Sequence, residues 1–261
     1  MQNDSIKIAV IGGGPAGMMA AGTAKRYGAS VTLFESMNHL GKKLAITGKG
    51  RCNVTNNSTI EEFLENVTKN PRFLYAALNA FTPQDAIDFF ENLGVPLKVE
   101  RGKRVYPISD KAADIVRAMK KYAEDVKVVY EKVKGIKPEE HGFTVETRTE
   151  KYRFDKVIIA TGGKSYPLTG SDGSGYGIAT SLGHTVTELI PSLIPIESKS
   201  HLCKSMQGLS LKNVAIKITD RNKKVLYTDF GEMMFAHFGV TGPIILSASS
   251  HLHGVDISKL T

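Results

Sequence analysis

Cysteine is scarce in this chain, with two among 261 residues, Cys52 and Cys203. They stand too far apart for a metal knuckle or a CxxC redox pair, which excludes disulfide-relay chemistry, and no metal site is expected. Long apolar runs are missing as well. The longest uncharged stretches, such as VIIA and PIILSAS, fall far short of the roughly 18 to 20 residues a membrane helix needs, so no membrane association is expected. Five glycines and a proline break the apolar run after Lys7, and Lys25 and Arg26 close it. That pattern is wrong for a secretory signal, and the cytoplasm is the expected compartment. Proline numbers only 10, against 41% hydrophobic and 23% charged residues, which excludes a disordered tail or a fibrous repeat. At about 100 to 200 residues per domain, the length allows one large domain or two modest ones.

Acids are outnumbered, 26 to 34 Lys and Arg, for a net charge of +8. Residues 98–137 hold twelve of these cations against six acids, which raises the question of an acidic partner. Aromatics are few there: Tyr106, Tyr122 and Tyr130 do not make the interleaved pattern that stacks on bases. A nucleic acid is therefore not the expected partner, and a solvated face accounts for the charge.

What is present starts at residue 6. IKIAVI reads as a buried strand, GGGPAG as a tight turn and MMAAGTAKRYG as a helix, the order of a dinucleotide fingerprint. Gly12 permits the turn, Gly14 lets the backbone approach a pyrophosphate, and Gly17 lets the helix lie close on the strand. Pro15 suits the first helical turn, where a missing N–H costs nothing, and Ala16, Ala20, Ala21 and Ala24 keep one helix face small. A second strand, SVTLF, ends at Glu35, about twenty residues beyond the glycines, where a carboxylate accepts ribose hydroxyls and disfavours a 2′-phosphate.

An NAD domain would continue as regular strand–helix alternation. Here GKKLAITGKGRCNVTN (41–56) intervenes, with no helical period. It offers backbone N–H groups and the side chains of Lys42, Lys43, Thr47, Arg51 and Asn53 as donors to a phosphate or a ring edge. Further on, Thr82-Pro83-Gln84-Asp85 predicts a helix start with Gly94 as its stop, and Ser109-Asp110 predicts the cap of a helix running through Tyr122. From Val126 the period changes to two: VKVVYEKVKGIKP, GFTVETRT and YRFDKVIIATGG read as strands. The last, fully apolar over 157–160, is expected to re-enter the central sheet before Thr161-Gly162-Gly163.

Together these features resemble the glutathione-reductase-type FAD-binding fold. More closely, GKKLAITGKGRCNVTN, RVYPISDKAADIV, ATGGKSYPLTGSDGSGYGIATSLGH, PSLIPI and GEMMFAHFGVTGP resemble, in order, the blocks of a bacterial NAD(P)/FAD-dependent oxidoreductase family, whose members are described as aminoacetone-oxidase-like or 3-dehydro-bile-acid-reductase-like. The resemblance runs from Lys7 to about Ser250. It implies an α/β fold: a Rossmann-type FAD-binding domain with a β-meander over 1–195, and the start of a β-rich substrate domain over 196–261. It also implies that Gly12, Gly14, Pro15, Ala16 and Gly17 face the FAD pyrophosphate, Glu35 the adenosine ribose, and the Val133 backbone the adenine edge. Thr161, Gly162 and Gly163 would lie where the chain passes the nucleotide. Thr47, Gly50, Arg51, Cys52 and Asn53 would run along the ribityl chain and flavin, with Asn53 near the reactive edge. Lys43 and Arg51 would bind phosphate or stabilise an anionic reduced flavin.

That fold normally returns with a glycine-and-acid stretch that closes over the flavin. None follows Gly242, since His251, Gly254 and Asp256 have the wrong order, so the second domain is expected to be truncated; a natural short form that closes the site by oligomerising and a chain that has lost FAD are the alternatives. His237 is the titratable candidate for catalysis, ahead of a cap-like Thr241-Gly242-Pro243, and reads equally well as an ordinary half-buried histidine. The expected function is FAD-dependent oxidation or reduction of a small organic molecule, steroid-like or an amino-ketone, with NAD(P)H or dioxygen as redox partner. An RNA-acting flavoprotein and a non-catalytic dinucleotide-binding fragment are the alternatives.

Overall fold

The computed structural model describes residues 5–252 and 255; Gly254 and Asp256 lie outside the described residues. The chain divides into two compact units, Met1–Val186 and Thr187–Thr261, a break that falls earlier than Pro195.

In the first unit, strand β1 (Lys7–Ile11) leads into helix α1 (Pro15–Arg26) and strand β2 (Ser30–Phe34). A short helical turn from Leu44 is broken by extended Thr47 and left-handed Gly48 and Lys49 before β3 (Thr55–Asn56). Helices α2 (Ile60–Glu65), α3 (Tyr75–Ala80) and α4 (Pro83–Asn92) follow, then β4 (Leu97–Glu100), β5 (Arg104–Pro107) and α5 (Ala112–Tyr122). Strand β6 (Lys127–Val129) comes before β7 (Gly135–Glu139), β8 (Gly142–Glu146), β9 (Lys151–Phe154), β10 (Lys156–Ile159) and helix α6 (Ser174–Ser181). The parallel sheet runs β10-β1-β2-β6, with Val10 beside both Leu33 and Ile158. Beside it lie an antiparallel meander, β7-β8-β9, and a small sheet, β3-β5-β4.

Because β1 alternates faces, Val10 packs with Met18, Leu33, Ile115 and Met119 on one side, while Ala9 and Ile11 pack with Phe34, Ile136, Val145 and Phe154 on the other. Both faces are thus covered, as a parallel sheet requires, and each fully buried large side chain contributes about 1.5–3 kcal/mol. Helix α1 meets α5 through Tyr122: its hydroxyl lies 3.0 Å from Thr23 Oγ1, and the Arg26 guanidinium sits 3.7 Å over its ring.

The expected start of α4 is present in full. Thr82 Oγ1 accepts from the Asp85 N–H, and Asp85 Oδ2 accepts from the Thr82 N–H at 2.8 Å. Two local readings need correction. Helix α5 is capped by Lys111 without a side-chain bond, because Ser109 Oγ donates to Asp114 Oδ2 and Asp110, left-handed at φ 55°, turns toward Arg51 and Lys98. The run 126–138 is two strands in different sheets: β6 pairs with β2, and only β7 belongs to the meander. Much of the basic segment is neutralised locally, since Lys98, Lys103, Arg117, Lys132 and Lys137 each pair with a carboxylate.

The second unit contains β11 (Ile196–Glu197), helix α7 (His201–Ser205), β12 (Ser210–Thr219), β13 (Val225–Ala236), β14 (Gly239–Thr241) and helix α8 (Pro243–His251). Its antiparallel sheet runs β11-β14-β13-β12. Helix α8 packs on this sheet through Ile244, Ile245 and Ala248. Gly231 makes room for it, since a Cβ there would lie 2.7 Å from Ile244 Cγ2. No helix among the described residues is long and apolar enough to cross a membrane.

Candidate functional site

A cavity of about 270 Å³ opens in the first unit where β1, β2 and β10 end and α1 begins. The glycine turn fits there for steric reasons specific to each position. Gly12 has φ +110°, and a Cβ on it would lie 2.5 Å from the Ala160 carbonyl oxygen; its N–H donates to Phe34 O at 2.8 Å. A Cβ on Gly17 would lie 1.7 Å from the Gly12 carbonyl oxygen, so that glycine lets α1 rest on the turn. Gly14 has no atom within 4 Å of its Cβ position and leaves the backbone open to the cavity. Helix α1 has no side-chain cap and no acid in its first turn, and the N–H groups of Gly14, Ala16 and Gly17 have no partner among the described residues. Orphan donors and the positive end of the helix dipole together make this a place for an anion.

Glu35 forms the adjoining wall. Its Oε2 accepts from the Gly13 N–H at 2.7 Å, its Oε1 from the Met37 N–H at 2.7 Å, and only 9% of the residue is exposed. Oε1 also accepts from Ser36 Oγ at 3.3 Å, so it is Oε2 that keeps a lone pair for a further donor such as a hydroxyl. Buried Val133 lines the next wall, and no hydrogen bond within the described residues engages its backbone N–H or carbonyl. The side beyond β10 is built by Thr161, Gly162, Thr169, Gly170 and Ser171. There Lys132 Nζ pairs with Asp172 at 2.5 Å, and that ammonium, with help from Ser174, holds the Asp172 carboxyl well below its ordinary range.

Of the residues read from sequence, Gly12, Gly14, Pro15, Ala16, Glu35, Lys43, Val133, Thr161 and Gly162 come together at this cavity. Thr47, Gly50, Arg51, Cys52, Asn53 and Gly163 do not line it, and neither does Gly17, which packs beneath it. Arg51 is the clearest departure. Its guanidinium meets Glu100 Oε1 at 2.5 Å and Asp110 Oδ1 at 2.6 Å, and lies 4.2 Å over the Tyr106 ring. The hydrogen bonds it donates, to Glu100 first and then to Asp110, raise its pKa above the ordinary value. Thr47 Oγ1 donates to Leu44 O, Cys52 is buried with its thiol pushed up by that burial, and Asn53 donates its amide to the Thr55 and Val105 carbonyls at 3.0 and 3.2 Å. His237 belongs to the second unit, exposed in the β13–β14 turn against Phe238.

Sequence reasoning passed over Gly13, Glu131, Lys132 and the stretch Thr169–Ser171 as lining residues. A usable signal for the last was its glycine and hydroxyl content in the loop between β10 and α6.

The chain matches the HI0933-like protein Rossmann domain model over residues 6–249. It is 33% identical over 251 residues to a 3-dehydro-bile acid delta(4,6)-reductase of Clostridium scindens, covering 94% of this chain and 60% of that protein. It is 31% identical over 245 residues to a ribosomal RNA dihydrouridine synthase of Escherichia coli, covering 93% of this chain and again 60% of the relative. Among solved structures, the open conformation of a flavocytochrome c3 fumarate reductase is similar with a TM-score of 0.55 at 19% identity, over 86% of this chain and 45% of that one. The chain thus spans about 60% of the length of the curated relatives it matches.

Proposed function

Because the chain belongs to the HI0933-like Rossmann-domain family, we propose that it is the cofactor-binding part of an FAD-dependent oxidoreductase that saturates a carbon–carbon double bond conjugated to a carbonyl in a small organic molecule. The observation that carries the cofactor half is the cavity itself. Uncapped N–H groups at α1 suit a diphosphate, the open lone pair of the anchored Glu35 carboxylate suits a ribose hydroxyl, and the unpaired Val133 backbone edge suits a purine. When bound, the flavin of such a dinucleotide supplies the redox chemistry, and the protein's share is binding and orientation. Glu35 leaves no room for a 2′-phosphate beside a fixed carboxylate, so FAD or an unphosphorylated dinucleotide is preferred.

The substrate half draws on the relatives. A 3-dehydro-bile acid with Δ4,6 unsaturation and a uridine converted to dihydrouridine share one bond type, a C=C conjugated to a carbonyl. NAD(P)H is the donor that fits a reduction. The test is spectroscopic: the purified chain with added FAD should show a perturbed flavin spectrum that NADH or NADPH bleaches and a conjugated enone restores. A flavin spectrum identical to that of free FAD at saturating protein would refute the cofactor assignment.

Two observations favour a second reading. The +8 charge and the two ribosomal RNA dihydrouridine synthases, at 31% and 29% identity, suit an RNA substrate. Retention on ribosomal RNA that falls steeply with salt, together with uracil but not steroid enone as oxidant, would select it.

A further inference from the structure

We infer that Lys43 supplies the positive charge facing the diphosphate of the bound dinucleotide, and that Arg51 supplies none. This rests on the dinucleotide reading above and divides a role that the sequence leaves open between two cations.

Lys43 lines the cavity alongside Gly14, Pro15 and Ala16, so it shares the space into which the uncapped α1 N–H groups open. Its Nζ donates to Ser165 Oγ at 3.2 Å and so reaches from the segment after β2 to the segment after β10, across the mouth. An ammonium has three N–H donors, and this single long bond leaves two of them unplaced. No carboxylate lies within ion-pair distance of it among the described residues. Neither acid of the cavity pairs with it: Glu35 accepts from the Gly13 and Met37 N–H groups, and Glu131 Oε1 accepts from Thr149 Oγ1 while its buried Oε2 has no hydrogen-bond partner among the described residues. Partial burial also depresses the Lys43 pKa by desolvation, a cost that an adjacent anion would remove. Arg51 stands in the opposite situation. Glu100 and Asp110 already neutralise it, Lys98 completes that cluster, and it does not line the cavity.

The experiment compares ADP with adenosine as probes, titrated calorimetrically into the full chain. Lys43→Gln should weaken ADP binding about tenfold, the worth of one charge-assisted hydrogen bond, and leave adenosine binding unchanged. Lys43→Arg, which keeps the charge, should bind ADP within about threefold of the parent, and Arg51→Gln should match the parent for both probes. Equal loss of ADP and adenosine in Lys43→Gln, loss in Lys43→Arg as large as in Lys43→Gln, or a tenfold ADP loss in Arg51→Gln would each overturn the inference. ADP binding by the parent with no change in Lys43→Gln would sink the inference alone. Failure of the parent to bind ADP or adenosine would sink the dinucleotide reading beneath it.

Discussion

Gly13→Ala adds one methyl group at a position the fingerprint leaves unspecified, and its cost can be worked from the surroundings. The new carbon would stand 2.4 Å from Leu40 Cδ2, 2.8 Å from Glu35 Oε2 and 3.2 Å from Glu35 Cβ. Leu40 is 6% exposed and Glu35 9%, so neither can swing into solvent. Overpacking of this kind costs about 1–3 kcal/mol. Displacing the Glu35 carboxylate from the Gly13 N–H forfeits a hydrogen bond to a charged group, about 1.5–3 kcal/mol. Against this, φ at Gly13 is not positive, so alanine recovers about 0.4–1 kcal/mol through the unfolded chain. The net loss is about 1.5–5.5 kcal/mol, which for a unit of this size lowers Tm by roughly 3–20 °C. Gly14→Ala is the matched comparison. With no atom within 4 Å of its Cβ position, it should melt with the parent yet bind ADP more weakly, because the methyl enters the cavity. Calorimetric melts and ADP titrations of both variants give the answer. A Gly13→Ala chain that melts within about 1 °C of the parent would show that the Leu40–Glu35 contact yields freely, and the steric reasoning would be wrong.

Three further outcomes follow from the same contacts. Glu35→Gln confronts the Gly13 or Met37 N–H with an amide donor, and should cost about 1–3 kcal/mol by urea denaturation while weakening adenosine binding. The Glu100 carboxyl is held below its ordinary range mainly by Arg51, and that of Asp110 by Lys98 and then Arg51. A depressed folded-state pKa contributes stability that is complete above the unfolded values, near pH 4, and disappears as pH falls through the folded ones. The urea midpoint of the parent should therefore drop more steeply below about pH 4 than that of Arg51→Gln, and parallel curves would contradict the pairing. Finally, both thiols are buried and burial pushes the Cys52 thiol up, so an aromatic disulfide reagent at neutral pH should modify neither cysteine in the native chain and both in urea. Rapid native labelling of Cys52 would show that the segment 47–53 opens.

What could be read in the sequence is what depends on near neighbours. Residues 6 to 35 specify β1, α1, β2 and the acid at its end, because Gly12 supplies the positive φ of the turn and Gly17 packs against Gly12 within it; the Thr82–Asp85 box is likewise settled within four residues. Gly13 escaped notice because the atoms that forbid a side chain there belong to Glu35 and Leu40, beyond a whole helix and strand. Asp110 looked like a cap residue and lost that role to Arg51 and Lys98, partners that no local pattern reveals. Strands β6 and β7 share one period of two, so alternation could not say that they belong to different sheets. The segment 41–56 has the composition of a phosphate loop throughout. Only Gly41, Lys42 and Lys43 reach the cavity, because Glu100 and Asp110, distant in sequence, claim Arg51.

The double anchoring of Glu35 ties cofactor choice to foldability. A carboxylate already gripped by two backbone N–H groups is preorganised, and its ordering is settled when the chain folds rather than when a nucleotide arrives. It follows that exchanging this acid for a base, the obvious route to a 2′-phosphorylated cofactor, would unlace the glycine turn at the same time. Cofactor preference here is not a dial set by one side chain. Changing it would require compensating donors or acceptors at Gly13 and Met37.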